Sequence, residues 1–155
     1  MGKIIEKTAL RGIFRLKVFR SGRLVEEIEE ENLIVAGAGE QLAHLLAGDV
    51  KGRSISKIAF GTNGNNAHMS DTAITNQWSK LIAGYSYNGD GEVTFNWDLG
   101  VTENNGMAII EFGLLTVDGT LFARRVRIKP IHKESDVSIE GQWKIIFNRG
   151  NGYGI

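Results

Sequence analysis

The run Met107–Lys129, MAIIEFGLLTVDGTLFARRVRIK, constrains the fold more than any other stretch of the chain. Two β-rich segments flank Asp118-Gly119. An Asp-Gly step between such segments is a strong hairpin signal, because both residues tolerate positive φ. Pairing Val117 with Thr120 sets Leu115 against Phe122, Gly113 against Arg124 and Glu111 against Val126. Glu111 and Arg124 then lie diagonally on one face, within reach of an ion pair. The first strand is apolar on both faces, with Ile109, Leu115 and Val117 on one and Ile110, Phe112 and Leu114 on the other. A strand of that kind is central and covered on both sides.

The other segments read as partners for this hairpin. Ile13–Phe19 alternates apolar and basic residues, and Leu24–Val35 returns after the turn signal Ser21-Gly22. Pairing Phe19 with Leu24 sets Lys17 opposite Glu26, a favourable cross-strand pair. Gly39–Ala47 carries Leu42, Leu45 and Leu46 at helical spacing, with Gly48 as its stop. Ser54–Gly61 is a third strand, and Gly61–Asn76 is a polar loop. Trp78–Tyr87 and Glu92–Leu99 form a hairpin around Asn88-Gly89-Asp90-Gly91, and Asp136–Phe147 is a last alternating strand. The pattern predicts a mainly β fold: an antiparallel β-sandwich or jelly roll of about eight strands with one short α-helix. A length of 155 residues suits one domain, residues 1–155, with 1–11 and 149–155 as terminal arms.

Composition narrows the function classes. Lysine and arginine number 18 and so do aspartate and glutamate, so bulk charge draws the chain to neither nucleic acid nor an anionic membrane. Cysteine is absent, which removes disulfides, thiolate metal sites and a thiol nucleophile. No apolar run reaches the roughly 20 residues of a membrane helix. His44, His68 and His132 lack the spacing of metal ligands, and the set His68, Ser70, Asp71 lacks a nucleophile elbow. The residues therefore predict no cofactor, no metal site and no catalytic centre. Glu111 and Arg124 are expected to be a structural ion pair that fixes the hairpin register.

Two charge runs stand out, the acidic Glu26–Glu31 and the basic Arg124–Lys129. They read as solvated strand faces, as a contact between copies, or as a nucleic-acid face lacking interleaved aromatics. The candidate subunit contacts are Arg125, Arg127 and Lys129 on one side and Glu26, Glu27 and Glu29 on the other. The basic residues are expected on one face, opposite Phe112, Ile110 and Ala108.

Several motifs follow one another in a recognisable order: Asn32-Leu-Ile-Val-Ala-Gly before the helix EQLAHLLAG, Ile58-Ala-Phe-Gly-Thr-Asn-Gly, Ser70-Asp71-Thr72, Ile110-Glu-Phe-Gly-Leu-Leu with its Asp-Gly turn, Leu121-Phe-Ala-Arg, and Ile139–Phe147 with Trp143. Over residues 24–147 the chain resembles small virion structural proteins of tailed bacteriophages, a tail-fibre- or tail-collar-like group. The resemblance implies a non-enzymatic, multi-copy, tail-, fibre- or baseplate-associated building block, made in the host bacterial cytoplasm and carried in the virion. Its partners would be other copies of itself, as a homo-oligomer, and other virion proteins, with no nucleic acid and no membrane. Capsid decoration, in which the protein cements the head, is an alternative placement. A host-glycan-binding module using Trp78, Trp97 and Trp143 is a second alternative.

Overall fold

The computed structural model of the protein describes residues 9–148. The strands are β1 (Ala9–Arg20), β2 (Arg23–Ile34), β3 (Ile55–Gly61), β4 (Trp78–Leu81), β5 (Gly84–Ser86), β6 (Glu92–Leu99), β7 (Ala108–Thr116), β8 (Leu121–His132) and β9 (Val137–Asn148). The single helix among the described residues, α1, spans Ala36–Leu46. The chain is mainly β and antiparallel with one short helix, as the pattern predicts. Residues 9–11, expected in an arm, open β1 and pair with β9. The rest of both expected arms, 1–8 and 149–155, lies outside the described residues.

The strands join in one curled sheet of order β4-β3-β7-β8-β2-β1-β9-β6-β5. Two corners make the curl. Along most of its length β2 pairs with β1, and only its last residues, Leu33 and Ile34, pair with β8. At the opposite corner β4 pairs with β3 and β5 with β6, with only Ile82 and Ala83 between them. The Ile82 N–H donates to the Ser56 carbonyl at 2.9 Å and the Ala83 N–H to that of Asn96 at 2.8 Å. The two ends of the sheet are thus consecutive segments of chain, which limits the exposed strand edge.

The curl brings two wings face to face. Phe14 on β1 and Trp97 on β6 meet Phe60 on β3 and Phe112 on β7, and Trp143 on β9 lies edge-on to Phe14. Ring centroids lie 4.9 Å apart for Phe14–Phe112 and 5.6 Å apart for Phe60–Trp97. Trp97 fits because Gly141 stands opposite it, where a Cβ would fall 2.0 Å from the indole. Trp143 donates from Nε1 to Asn32 Oδ1 at 2.8 Å, and Asn32 lies over Gly12, its cross-strand neighbour. The motif residues Asn32 and Trp143 are therefore joined, although they stand 111 positions apart.

The central hairpin departs from the simplest register at its turn. The loop is closed between Thr116 and Thr120, with the Thr116 N–H donating to the Thr120 carbonyl at 3.0 Å. Gly119 takes φ 90°, the left-handed position of a three-residue hairpin loop. The Asp118 carboxylate accepts from the Thr116 hydroxyl and the Thr120 N–H. A bulge at Leu114/Leu115 then sets Leu115 against Leu121 and not Phe122, while Gly113–Arg124 and Glu111–Val126 pair as expected. A bulge at Val18/Phe19 similarly keeps Phe19 opposite Leu24 but moves Lys17 to Glu27. An extra residue in one strand shifts every pair beyond it, and apolar periodicity does not reveal it.

Both faces of β7 are covered, as its composition predicts. The inner face enters the aromatic core. The outer face lies under the loop between β3 and β4, where Ile74 packs with Val35, Ala59, Leu115 and Leu121. The helix starts three residues earlier than Gly39, because Gly37 lets it approach the Leu121 carbonyl, where a Cβ would lie at 2.6 Å. Its buried residues are Ala38 and Gln41, and Leu46 faces solvent.

Candidate functional site

Three arrangements of polar side chains follow from this frame. The first centres on Arg124, which β8 places on the outer face beneath the loop, almost wholly buried. Its Nε donates to Glu111 Oε2 at 2.8 Å, its Nη1 to Asp71 Oδ2 at 2.8 Å and its Nη2 to the Asn63 carbonyl at 3.0 Å. Glu111 Oε1 accepts the N–H groups of Asn63 at 3.0 Å and Thr75 at 2.7 Å. Gly61 makes room for that carboxylate, since a Cβ there would lie 2.5 Å from it. The expected pair Glu111–Arg124 is therefore formed. It fixes more than register, because it fastens both ends of the loop to the hairpin.

Asp71 belongs to this network and not to a triad with His68 and Ser70. Its Oδ2 also accepts the His68 N–H at 2.8 Å, so it caps a turn of the loop. Burial pushes the Asp71 carboxyl upward, but the His68 N–H and the Arg124 guanidinium outweigh it and hold it below the usual carboxylate range. Because its folded value lies below the unfolded one, ionised Asp71 adds stability above about pH 4 that disappears as pH falls through the folded value. Thermal melts from neutral pH to about pH 3 are expected to show Tm dropping most steeply below about pH 4, and Asp71→Asn to flatten that drop. An unchanged acid slope in the variant would contradict this assignment.

The second arrangement is a charged seam. Beyond Leu33 and Ile34, β2 and β8 separate, and side chains bridge the gap. Arg127 Nη2 donates to both oxygens of Glu26 at 2.9 Å, and Arg125 pairs with Glu30. Burial and then the neighbouring Arg127 push the Arg125 guanidinium below its ordinary pKa. Two other acids of β2 turn to β1, where Arg15 holds Glu29 at 3.1 Å and Arg11 holds Glu31. The acidic and basic runs thus meet largely inside one molecule. Of the six expected subunit contacts, Arg125, Arg127, Glu26 and Glu29 have partners within the chain. Glu27 and Lys129 have no side-chain partner among the described residues. The expected basic face holds only in part. Arg125 does stand opposite Phe112, but a bulge sets Arg127–Pro130 against Ile110 alone, so Ala108 faces His132. The opposite corner is closed in the same way, with Lys80 Nζ 3.0 Å from Asp98 and 2.8 Å from Glu103.

The third arrangement is a shallow groove of about 640 Å³ across β2, β1, β9 and β6. One polar row crosses it strand by strand. Arg15 links Glu29 to Gln142, which donates to Asn96 at 3.0 Å. Lys17 stands between Glu27 and Glu140 in the next row. These pairs are exposed, and exposed ion pairs contribute about 0–1 kcal/mol each.

The tryptophans of the glycan-binding alternative are engaged within the fold. Trp97 and Trp143 are core residues, and Trp78 packs on Phe60 with centroids 6.0 Å apart. Among the described residues no group of three or more histidines, aspartates or glutamates is placed to hold a metal ion. No helix among them is long and apolar enough to cross a membrane. Comparison of the chain with protein-family models, with curated proteins and with solved structures finds no match.

Proposed function

We propose that this protein is a non-enzymatic structural component of a tailed-bacteriophage virion, present in many copies and associated with the tail, fibre or baseplate. One observation carries the reading: the residues of these motifs serve the frame. Asn32 bonds Trp143, Asn63 and Asp71 are held by Arg124, and Glu111 anchors both ends of the loop. The motif order that resembles small phage structural proteins therefore coincides with a rigid, self-fastened sheet. Such a sheet suits a building block that assembles through its surface. Its partners are further copies of itself and other virion proteins, and it is made in the host cytoplasm before assembly.

Quantitative mass spectrometry of particles purified from a lysate expressing the chain tests this. Its peptides are expected to co-purify with the particles at a fixed multiple of the unique tail components. Recovery of the chain only in the soluble fraction would contradict the proposal. A copy number matching the capsid lattice would place the protein on the head as a decoration protein.

A further inference from the structure

One buried cation lies outside the networks above. Lys133 directly follows β8 and has no exposed surface. Arg124, nearly as deep, is held by two carboxylates. Lys133 is paired with none among the described residues: its Nζ donates to Asn105 Oδ1 at 2.7 Å and to the Glu134 carbonyl at 3.2 Å. Burial pushes its amine below the ordinary lysine range, although the charges of Glu103 and Asp136 pull the other way. Asn105 is an exposed residue of the loop between β6 and β7. Its Nδ2 donates to the Val101 carbonyl at 3.0 Å, so both ends of the carboxamide are fixed. The backbone clasps the same pair. The Gly106 N–H donates to the Lys133 carbonyl at 2.8 Å, and the Lys133 N–H to the Met107 carbonyl at 2.9 Å. The amine therefore stands within about 4 Å of Asn105 Cγ, one C=O bond of about 1.2 Å beyond the oxygen it touches.

We propose that Lys133 and Asn105 join in an intramolecular isopeptide bond. A lysine taken out of water is driven toward its neutral form, and a neutral amine is a nucleophile. Its Nζ lone pair attacks Cγ, the Cγ–Nδ2 bond breaks, and an Nζ–Cγ amide forms. Lys133 gives up two protons, one to free the lone pair and one after the attack. Both leave with Nδ2 as ammonium, so no oxidant or co-reactant is needed. Asn105 lies at the surface, and the ammonium passes into solvent. Holding the two groups in contact favours the step, because oriented intramolecular groups react as if at very high concentration. The product also replaces a cation buried without a counter-charge by a neutral amide. The bond closes a ring around β7 and β8 at the end opposite the Asp118-Gly119 turn. A covalent closure there restricts the unfolded chain and holds the central hairpin together. The bond stands apart from the virion reading above and forms in the isolated chain.

Denaturing intact-mass spectrometry of the purified full chain, fresh and after prolonged storage at alkaline pH, tests it. The mass is expected to fall below that of the sequence by one ammonia. A tryptic digest should contain a branched peptide joining Asn105 to Lys133, with no cut after Lys133. Asn105→Ala and Lys133→Arg should each keep the full mass of their own sequences. Asn105 is exposed, so its alanine variant is expected to fold even where the loss of buried Lys133 does not permit it. Succinimide formation at Asn105-Gly106 also releases ammonia, but it would persist in Lys133→Arg and yield no branched peptide. A wild type that keeps its full mass after storage, or an ammonia loss that survives Lys133→Arg, would overturn the bond.

Discussion

Arg124→Met is expected to lower folding stability by about 3–5 kcal/mol, the usual cost of removing one partner from a buried ion pair. Glu111 has no exposed surface, and loss of the guanidinium would leave its Oε2 charged and unpaired. The carbonyl of Asn63 and the carboxylate of Asp71 would lose donors at the same time. The loop would then be free to lift, and Ile74 with it, from the outer face of β7. Urea unfolding followed by circular dichroism measures the loss. Combining Arg124→Met with Glu111→Leu should recover part of it, because no buried charge would be left alone. Recovery should be incomplete, since the N–H groups of Asn63 and Thr75 would lose their acceptor. An Arg124→Met protein as stable as wild type would mean that the network merely decorates the hairpin.

Trp143→Ala should be comparably damaging, at about 3–5 kcal/mol, because it empties the largest fully buried side chain of the core. Its ring lies edge-on to Phe14 with centroids 5.0 Å apart, and Phe14 in turn contacts Phe112 across the two wings. A cavity at this point separates the wings where they are held together. Trp143→Phe keeps most of the ring and removes the indole donor to Asn32, so its cost should be nearer 1–3 kcal/mol. Chemical denaturation of the two variants separates packing from the hydrogen bond. Equal losses would mean that the Asn32 contact dominates and that core filling contributes little.

The sequence carries the elements of this fold more clearly than their arrangement. Alternation in β1 and β9, the double-faced apolarity of β7 and the Asp118-Gly119 turn are local properties, and each appears where its pattern places it. The Glu111–Arg124 pair was legible because a tight turn brings the two residues into diagonal contact. Three features were not legible. The bulges at Val18, Leu114 and Ile110 leave no periodic trace, and they move Lys17, Leu115 and the basic stripe to new neighbours. The sharing of β2 between β1 and β8 depends on pairings over about a hundred residues, so the acidic and basic runs read as outward-facing when they are joined to each other. Asp71 was not legible as a ligand of Arg124, because 53 residues separate them. Sequence reasoning found the charged residues of the seam and missed its exposed apolar ones, since Ile128 sits in a strand whose apolar residues otherwise face inward. The signal available for it was Pro130, a residue that cannot join a ladder and that marks a bulge or an edge.

An electron cryo-microscopy map of the assembled particle tests the central claim, that this chain is a repeated structural part of a virion. The account predicts symmetry-related densities that each accept the nine-stranded curled sheet, with the hairpin of β7 and β8 inside the subunit. A particle of full composition and infectivity whose map has no density for this sheet would contradict it.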